Sequence, residues 1–300
     1  MEENKEKFGT KLARFHDKYY KLLLLIPAII LLFSIAYMVV FYNNTGDFIN
    51  RDISLTGGTS VTLHEKRNIE DVERDLSGKL ESISIREISD LITREQKAII
   101  IETTSDAETT REVLEDYLGY ALTEKNSSFE FTGSSLSKSF FRQLLIAILL
   151  AFVFMALVVF IIFRTFVPSA AIVIAAFADI FMTLTLFNIL GLEMSSAGIV
   201  AFLMLIGYSV DTDILLTNRV LKRHEDSLNR RIFSAFKTGI TMTLTSLMAI
   251  IFALLIVMSF SAVLTKIFTI LVIGLSFDIL NTWITNVSLI KWYVKSKHEN

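Results

Sequence analysis

The chain has no cysteine, two prolines and four histidines among its 300 residues. The missing cysteine excludes a disulfide framework, a thiolate nucleophile and a sulfur-bound metal. His16, His64, His224 and His298 lie far apart and show no ligand spacing. The remaining polar groups show no nucleophile–base spacing either. An enzyme is therefore not expected, and neither is a cofactor, a metal or a nucleic-acid partner. The net charge of −2 says little as a total, because the charges are segregated along the chain.

What the chain does have is apolar residues in long uninterrupted runs, with 24 phenylalanines and a mean hydropathy of +0.53. Such runs predict a polytopic α-helical membrane protein surrounded by membrane lipids. Six spans are expected, at about 22–42, 144–163, 167–187, 197–218, 240–258 and 263–290. The first is too long for a signal peptide and lacks a small-residue cleavage site, so it reads as an anchor. Pro27 and Pro168 fall in first turns, where a missing donor does least harm.

Six spans place residues 1–21, Arg164, the 219–237 connection and the 291–300 tail on one side. Those stretches hold sixteen basic residues, and outside the folded domain the opposite side has only Lys266. The positive-inside rule therefore predicts both termini in the cytoplasm of a cell-membrane protein.

Residues 43–142 form the segment expected outside, with 19 acidic and 12 basic side chains. Ser60–Leu63, Ile83–Ile88, Ala98–Glu102 and Ser128–Phe131 alternate as strands. Asn68 and Ser105 stand at the starts of two expected helices, 69–80 and 106–118, each with an acid three residues on. The order strand, helix, strand, strand, helix, strand predicts a small ferredoxin-like α+β domain. Gly57-Gly58 ahead of the first strand marks a tight turn or a close backbone approach.

Polar groups inside apolar spans are costly, so Asp211 and Asp213 must face protein or water, or carry protons. They lie about 200° apart on the helix. Asp211 shares a face with Gly207, and Asp213 shares one with Ser209 and Thr217. The fifth span carries Thr238, Thr241 and Thr245, and the sixth carries Gly274, Asp278, Asn281 and Thr285. Small and hydroxylated faces can serve helix packing alone. The sharper reading is a polar core in which Asp211 or Asp213, with Asp278, binds an ion. No basic residue lies between Lys237 and Lys266, which favours a bound proton there. Asp179 is the weaker candidate, expected to turn towards the domain-side surface.

The run GYSVDTDILLTNR, 207–219, resembles the SecF family of the SecD–SecF protein-export accessory complex. LTGGT, 55–59, with Gly57, Gly58 and Thr59, resembles that family's second signature. The layout of one span, an external domain of about a hundred residues and five further spans is similar as well. In bacterial members the first motif runs Gly-Tyr-Ser-Val/Ile-Asn-Asp-Thr and ends in Asp-Arg. Gly207, Tyr208, Ser209, Val210 and Arg219 match it. The family's proton-linked aspartate falls on Thr212, between Asp211 and Asp213, and an associated arginine falls on Thr238. These departures resemble an archaeal branch of the family.

The resemblance implies a subunit, related to resistance–nodulation–division transporters, that uses an ion gradient to assist late steps of preprotein export. SecD, the SecY channel and translocating preproteins are its implied partners. A proton-driven small-molecule efflux transporter and a non-conducting structural subunit are the alternative readings.

Overall fold

A computed structural model describes residues 19–89, 93, 95–222 and 227–298. Residues 1–18 of the N-terminal segment, 223–226 of the basic connection and 299–300 of the tail lie outside the described residues. Among the described residues, six helices are long and apolar enough to cross a membrane: Tyr19–Thr45, Leu136–Phe163, Phe166–Ile189, Ser196–Lys222, Leu228–Val257 and Ala262–Lys297. Between the first and the second stands a four-stranded antiparallel sheet with two helices.

In chain order, α1 (Leu25–Thr45) leads to a single-turn helix α2 (Ile53–Thr56) and strand β1 (Gly58–Leu63). Then come α3 (Ile69–Leu76), β2 (Ser84–Ser89), β3 (Gln96–Thr103), α4 (Ala107–Leu118) and β4 (Ser127–Thr132). The sheet order β2-β3-β1-β4 with helices after β1 and β3 is the ferredoxin-like arrangement. Val61 and Leu63 alternate inward on β1 and meet Ile99 and Ile101 of β3, Val72 and Leu76 of α3, and Leu114 of α4.

The caps follow local chemistry. Asn68 accepts from the Glu70 N–H at 2.9 Å, and α3 ends at Leu76, ahead of Gly78 at φ 87°. On α4 the cap is Asp106 rather than Ser105. Its carboxylate accepts from the N–H groups of Glu108 and Thr109, both at 3.0 Å, which holds its pKa below the usual range. Ser105 is drawn into the neighbouring loop, where its hydroxyl accepts from the Glu81 N–H at 3.1 Å.

The glycine pair sits where the domain meets the membrane helices. Gly57 and Gly58 have φ of 87° and 142°. A Cβ on Gly57 would lie 2.6 Å from the Ser134 nitrogen, and one on Gly58 would run into the Thr103 carbonyl. Only glycine lets β1 start between the end of β3 and the head of the next helix. Thr59 is buried and donates to the Ser105 carbonyl at 2.8 Å.

That next helix, α5 (Ser134–Phe163), runs without a break through the polar stretch 134–142 and the second span. It is followed by α6 (Phe166–Ile189), α7 (Ser196–Lys222), α8 (Leu228–Val257) and α9 (Ala262–Leu280). A π-helical turn, Asn281–Asn286, then joins α9 to α10 (Val287–His298). Much of the basic connection is thus helical, as α7 and α8 extend past their apolar cores. α6 and α7 are the most buried spans, and α5 and α8 present wide apolar surfaces.

Small residues set the closest approaches. A Cβ on Gly274 of α9 would sit 2.5 Å from Leu205 of α7, and one on Gly239 of α8 would sit 2.5 Å from Trp283.

The linker from α1 is stitched to the domain end of the bundle. Met194 donates to the Asn50 carbonyl at 2.6 Å, Asp52 N–H donates to the Met194 carbonyl at 3.0 Å, and Ser196 N–H donates to the Ser54 hydroxyl at 2.9 Å. Asp52 caps α2 and also pairs with Lys266 of α9 at 2.6 Å, with both side chains nearly buried. Lys266 is therefore neutralised by the linker.

Candidate functional site

Three carboxylates meet inside the bundle. Asp179 of α6, Asp213 of α7 and Asp278 of α9 are all buried. Asp179 accepts from the Ser209 hydroxyl at 2.6 Å and from the Asn281 amide at 2.7 Å. One oxygen of Asp213 accepts from the Thr282 hydroxyl at 2.9 Å and the Asn286 amide at 2.6 Å. Thr282 also reaches Asp278 at 3.1 Å, so a single hydroxyl bridges two acids. Thr285 donates to the free side of Asn281 at 3.2 Å.

The donors to these acids are all neutral. Asp213 Oδ2, Asp278 Oδ2 and Asn286 Oδ1 are buried and have no hydrogen-bond partner among the described residues. The cluster therefore holds more acceptors than donors. A proton on Asp213 or Asp278 would supply one of the missing donors. Among the described residues, no three acidic or histidine side chains converge as a metal site. The acids are instead spread along a chain of hydroxyls and amides.

The π turn is what assembles the last part. Thr282 already shares the face of Asp278, four residues back, and the wider turn slows the rotation of the helix so that Asn286 stays on that face too. Asp179, the weaker candidate by sequence, turns inward because its face of α6 packs against α7 and α9. Thr282 went unnoticed although helical spacing reaches it, and Asn286 does not stand out from that spacing alone. The run Asn281-Thr282-Trp283-Ile284-Thr285-Asn286 is nonetheless the densest polar stretch in the sixth span.

Several expected members lie elsewhere. Asp211 is exposed on the outer face of α7 beside Gly207 and Tyr208, so it is not part of the buried cluster. A Cβ on Gly207 would meet nothing within 4 Å. The threonine stripe of α8 is also outside the core: Thr241 and Thr245 are exposed and Thr238 is half-buried. Gly239 and Thr243 turn inward, which rotates residues 241 and 245 away. The outer hydroxyls are satisfied by their own helix, Thr241 on the Lys237 carbonyl and Thr245 on the Thr241 carbonyl, each at 2.7 Å. Thr212 is buried, with its hydroxyl 3.5 Å from that of Thr243. Arg219 ties α7 to α8 through the Ser234 carbonyl at 2.6 Å.

The sequence model described as "Protein export membrane protein SecD/SecF, C-terminal" matches residues 114–296. A protein-export membrane protein SecF from Methanocaldococcus jannaschii is 38% identical over 283 residues, covering 92% of this chain and 96% of that protein. The chain belongs to the SecF family.

A SecF of Methanothermobacter thermautotrophicus is likewise 38% identical, over 93% of the chain and 94% of that protein. Such relatives are named for protein export and not as enzymes. SecDF of Thermus thermophilus, described as translocon-associated, superposes with a TM-score of 0.66 at 19% identity. The match covers 94% of this chain but 38% of that one. The chain thus spans nearly the whole of a SecF-family protein and well under half of SecDF, with which it shares its fold. It is a multi-pass membrane protein in which Thr212, like its neighbour Asp213, is buried. The nearest buried acid in sequence is Asp213, one residue on.

Proposed function

We propose that this chain is the SecF subunit of an accessory complex that assists protein translocation across the cytoplasmic membrane, with SecD and a SecY-containing channel as partners. A proton gradient is coupled to late steps of export through Asp213, Asp278 and Asp179. The observation that carries the coupling is the meeting of three buried carboxylates, held by neutral donors only, where α6, α7 and α9 cross. Ionised carboxylates are costly in such a place. Proton occupancy and helix packing are therefore linked, and the bundle shifts by the difference in proton affinity between its two arrangements.

The path outward runs along α9, which carries Asp278 near one end and Lys266 near the other. Lys266 holds Asp52, so a displacement of α9 reaches the linker and the α+β domain. Both termini face the cytoplasm in this reading, with the domain outside, as the basic residues favour. There the domain touches unfolded preprotein transiently. SecD covers the outer face of α7 and α8, which bears Asp211 and the outer threonines. An acid facing lipid there would be costly, and a partner's donors remove that cost.

The test is purification of the tagged protein from native membranes in a mild detergent, followed by mass spectrometry of what accompanies it. SecD is expected, with or without the channel. A clean homo-oligomer without SecD would refute the export assignment. The coupling is tested separately, with Asp213→Asn and Asp278→Asn in gradient-driven export. If both variants export normally, the subunit is structural and non-conducting.

A further inference from the structure

At the end of the bundle opposite the α+β domain, a cavity of about 490 Å³ opens between helix ends. Every charged side chain described in its lining is basic: Lys222 at the end of α7, Arg231 near the start of α8 and Lys297 near the end of α10. Below them the wall is apolar, formed by Phe163, Leu221 and Val294. The Lys222 ammonium stands 5.8 Å from the centre of the Phe163 ring, which places the charge at the mouth. The Arg231 guanidinium donates to the Val220 carbonyl at 2.5 Å and is fixed as part of the wall.

Thr165 completes the lining. It caps α6, a helix of 24 residues, and its hydroxyl makes no capping bond. That hydroxyl oxygen is buried and has no hydrogen-bond partner among the described residues. The positive end of a long helix therefore lies beside two exposed lysines. Each of these features favours an anion with several acceptor oxygens. A basic mouth over an apolar wall, at the level where apolar spans end, also matches an amphiphile with an anionic head.

We propose that this cavity is a binding site for a phosphate-bearing anion, with Lys222 and Lys297 as the recognising groups, Arg231 in the wall and the positive end of α6 beside them. The phosphate comes either from the head group of an anionic membrane lipid or from a soluble phosphate. The site is separate from the acid cluster and does not depend on the export role. Occupied, it would join the ends of α5, α6, α7 and α10 through one ligand.

The experiment uses the full-length protein in detergent, with native mass spectrometry to count retained lipid after incubation with phosphatidylglycerol or phosphatidylcholine. In parallel, the unfolding midpoint is followed against inorganic phosphate. One phosphatidylglycerol should be retained in preference to phosphatidylcholine. Lys222→Ala with Lys297→Ala should weaken retention about thirtyfold, at about fivefold per cation near the surface. Lys222→Arg with Lys297→Arg should restore it, and Lys237→Ala, in a different groove, should leave it unchanged. Preference for phosphatidylglycerol with no response to phosphate assigns a lipid. A midpoint raised by phosphate, and lost in the double alanine variant, assigns a soluble anion. Equal retention of the two lipids with no phosphate response overturns the proposal, as does a double alanine variant that binds like the unmodified protein.

Discussion

Replacing Asp213 by alanine or by asparagine should separate stability from function. One Asp213 oxygen accepts from Thr282 at 2.9 Å and from Asn286 at 2.6 Å. In Asp213→Ala the Thr282 hydroxyl can turn to Asp278, already 3.1 Å away. The Asn286 amide has no such alternative and is left as a buried orphan donor, at a cost of about 1–3 kcal/mol. Asp213→Asn keeps an oxygen in the accepting position, so both bonds survive and stability should barely change. Neither variant can take up and release a proton, so both should lose gradient-driven export. The assays are unfolding in mixed micelles for stability and translocation of a reporter preprotein into vesicles under an imposed proton gradient. Recovery of SecD serves as the assembly control. Wild-type export by a well-assembled Asp213→Asn protein would refute the coupling, and equal stability of the two variants would refute the hydrogen-bond argument.

Gly58→Ala should add about 1–3 kcal/mol of backbone strain on top of the clash with the Thr103 carbonyl, seen as faster hydrogen exchange in β1. Gly133→Ala is the matched control, because its φ is −65° and its Cβ would have open space. Lys266→Met should leave the nearly buried Asp52 unpaired and cost about 3–5 kcal/mol, with exchange rising around residues 50–54 and 194–196. Adding Asp52→Asn should recover most of that loss. Burial pushes the Glu102 carboxyl up, opposed by Arg86 and Lys266. Its folded state therefore holds the proton more tightly than the unfolded chain does. Its contribution to stability should be greatest at low pH and fall as pH rises above about 4.3, the ordinary glutamate value. Glu102→Gln should flatten that slope in pH-dependent thermal unfolding of the full-length protein.

The spans were legible because length and apolarity decide them without reference to packing. The domain was legible because strand alternation and caps are local, although Ser105 and Asp106 compete for one cap and only the route of the loop settles the choice. The acid cluster was half legible. Asp213, Asp278 and Asn281 follow from helical spacing, but which face of α6 turns inward is set by its neighbours, so Asp179 was undervalued. Thr282 follows from the same spacing, four residues after Asp278, but Asn286 depends on a π turn, which is itself a product of packing. The outer threonines of α8 misled for another reason: a hydroxyl bonded to its own helix carbonyl can face lipid as readily as a core.

The way into the α+β domain and the way out of it are neighbours. Gly58 at the head of β1 lies opposite Thr132 at the tail of β4, and Gly57 touches Ser134 at the start of α5. The domain is thus a cassette inserted at a single point, although its β2–β3 edge also faces the ends of α6, α8 and α9 across a shared cleft that includes Arg86, Leu192 and Lys266. A lineage could enlarge, shrink or replace this module while keeping the arrangement of the six spans. The ties that would have to survive such a replacement, Asp52 to Lys266 and Asn50 to Met194, all lie on the membrane side of the insertion point.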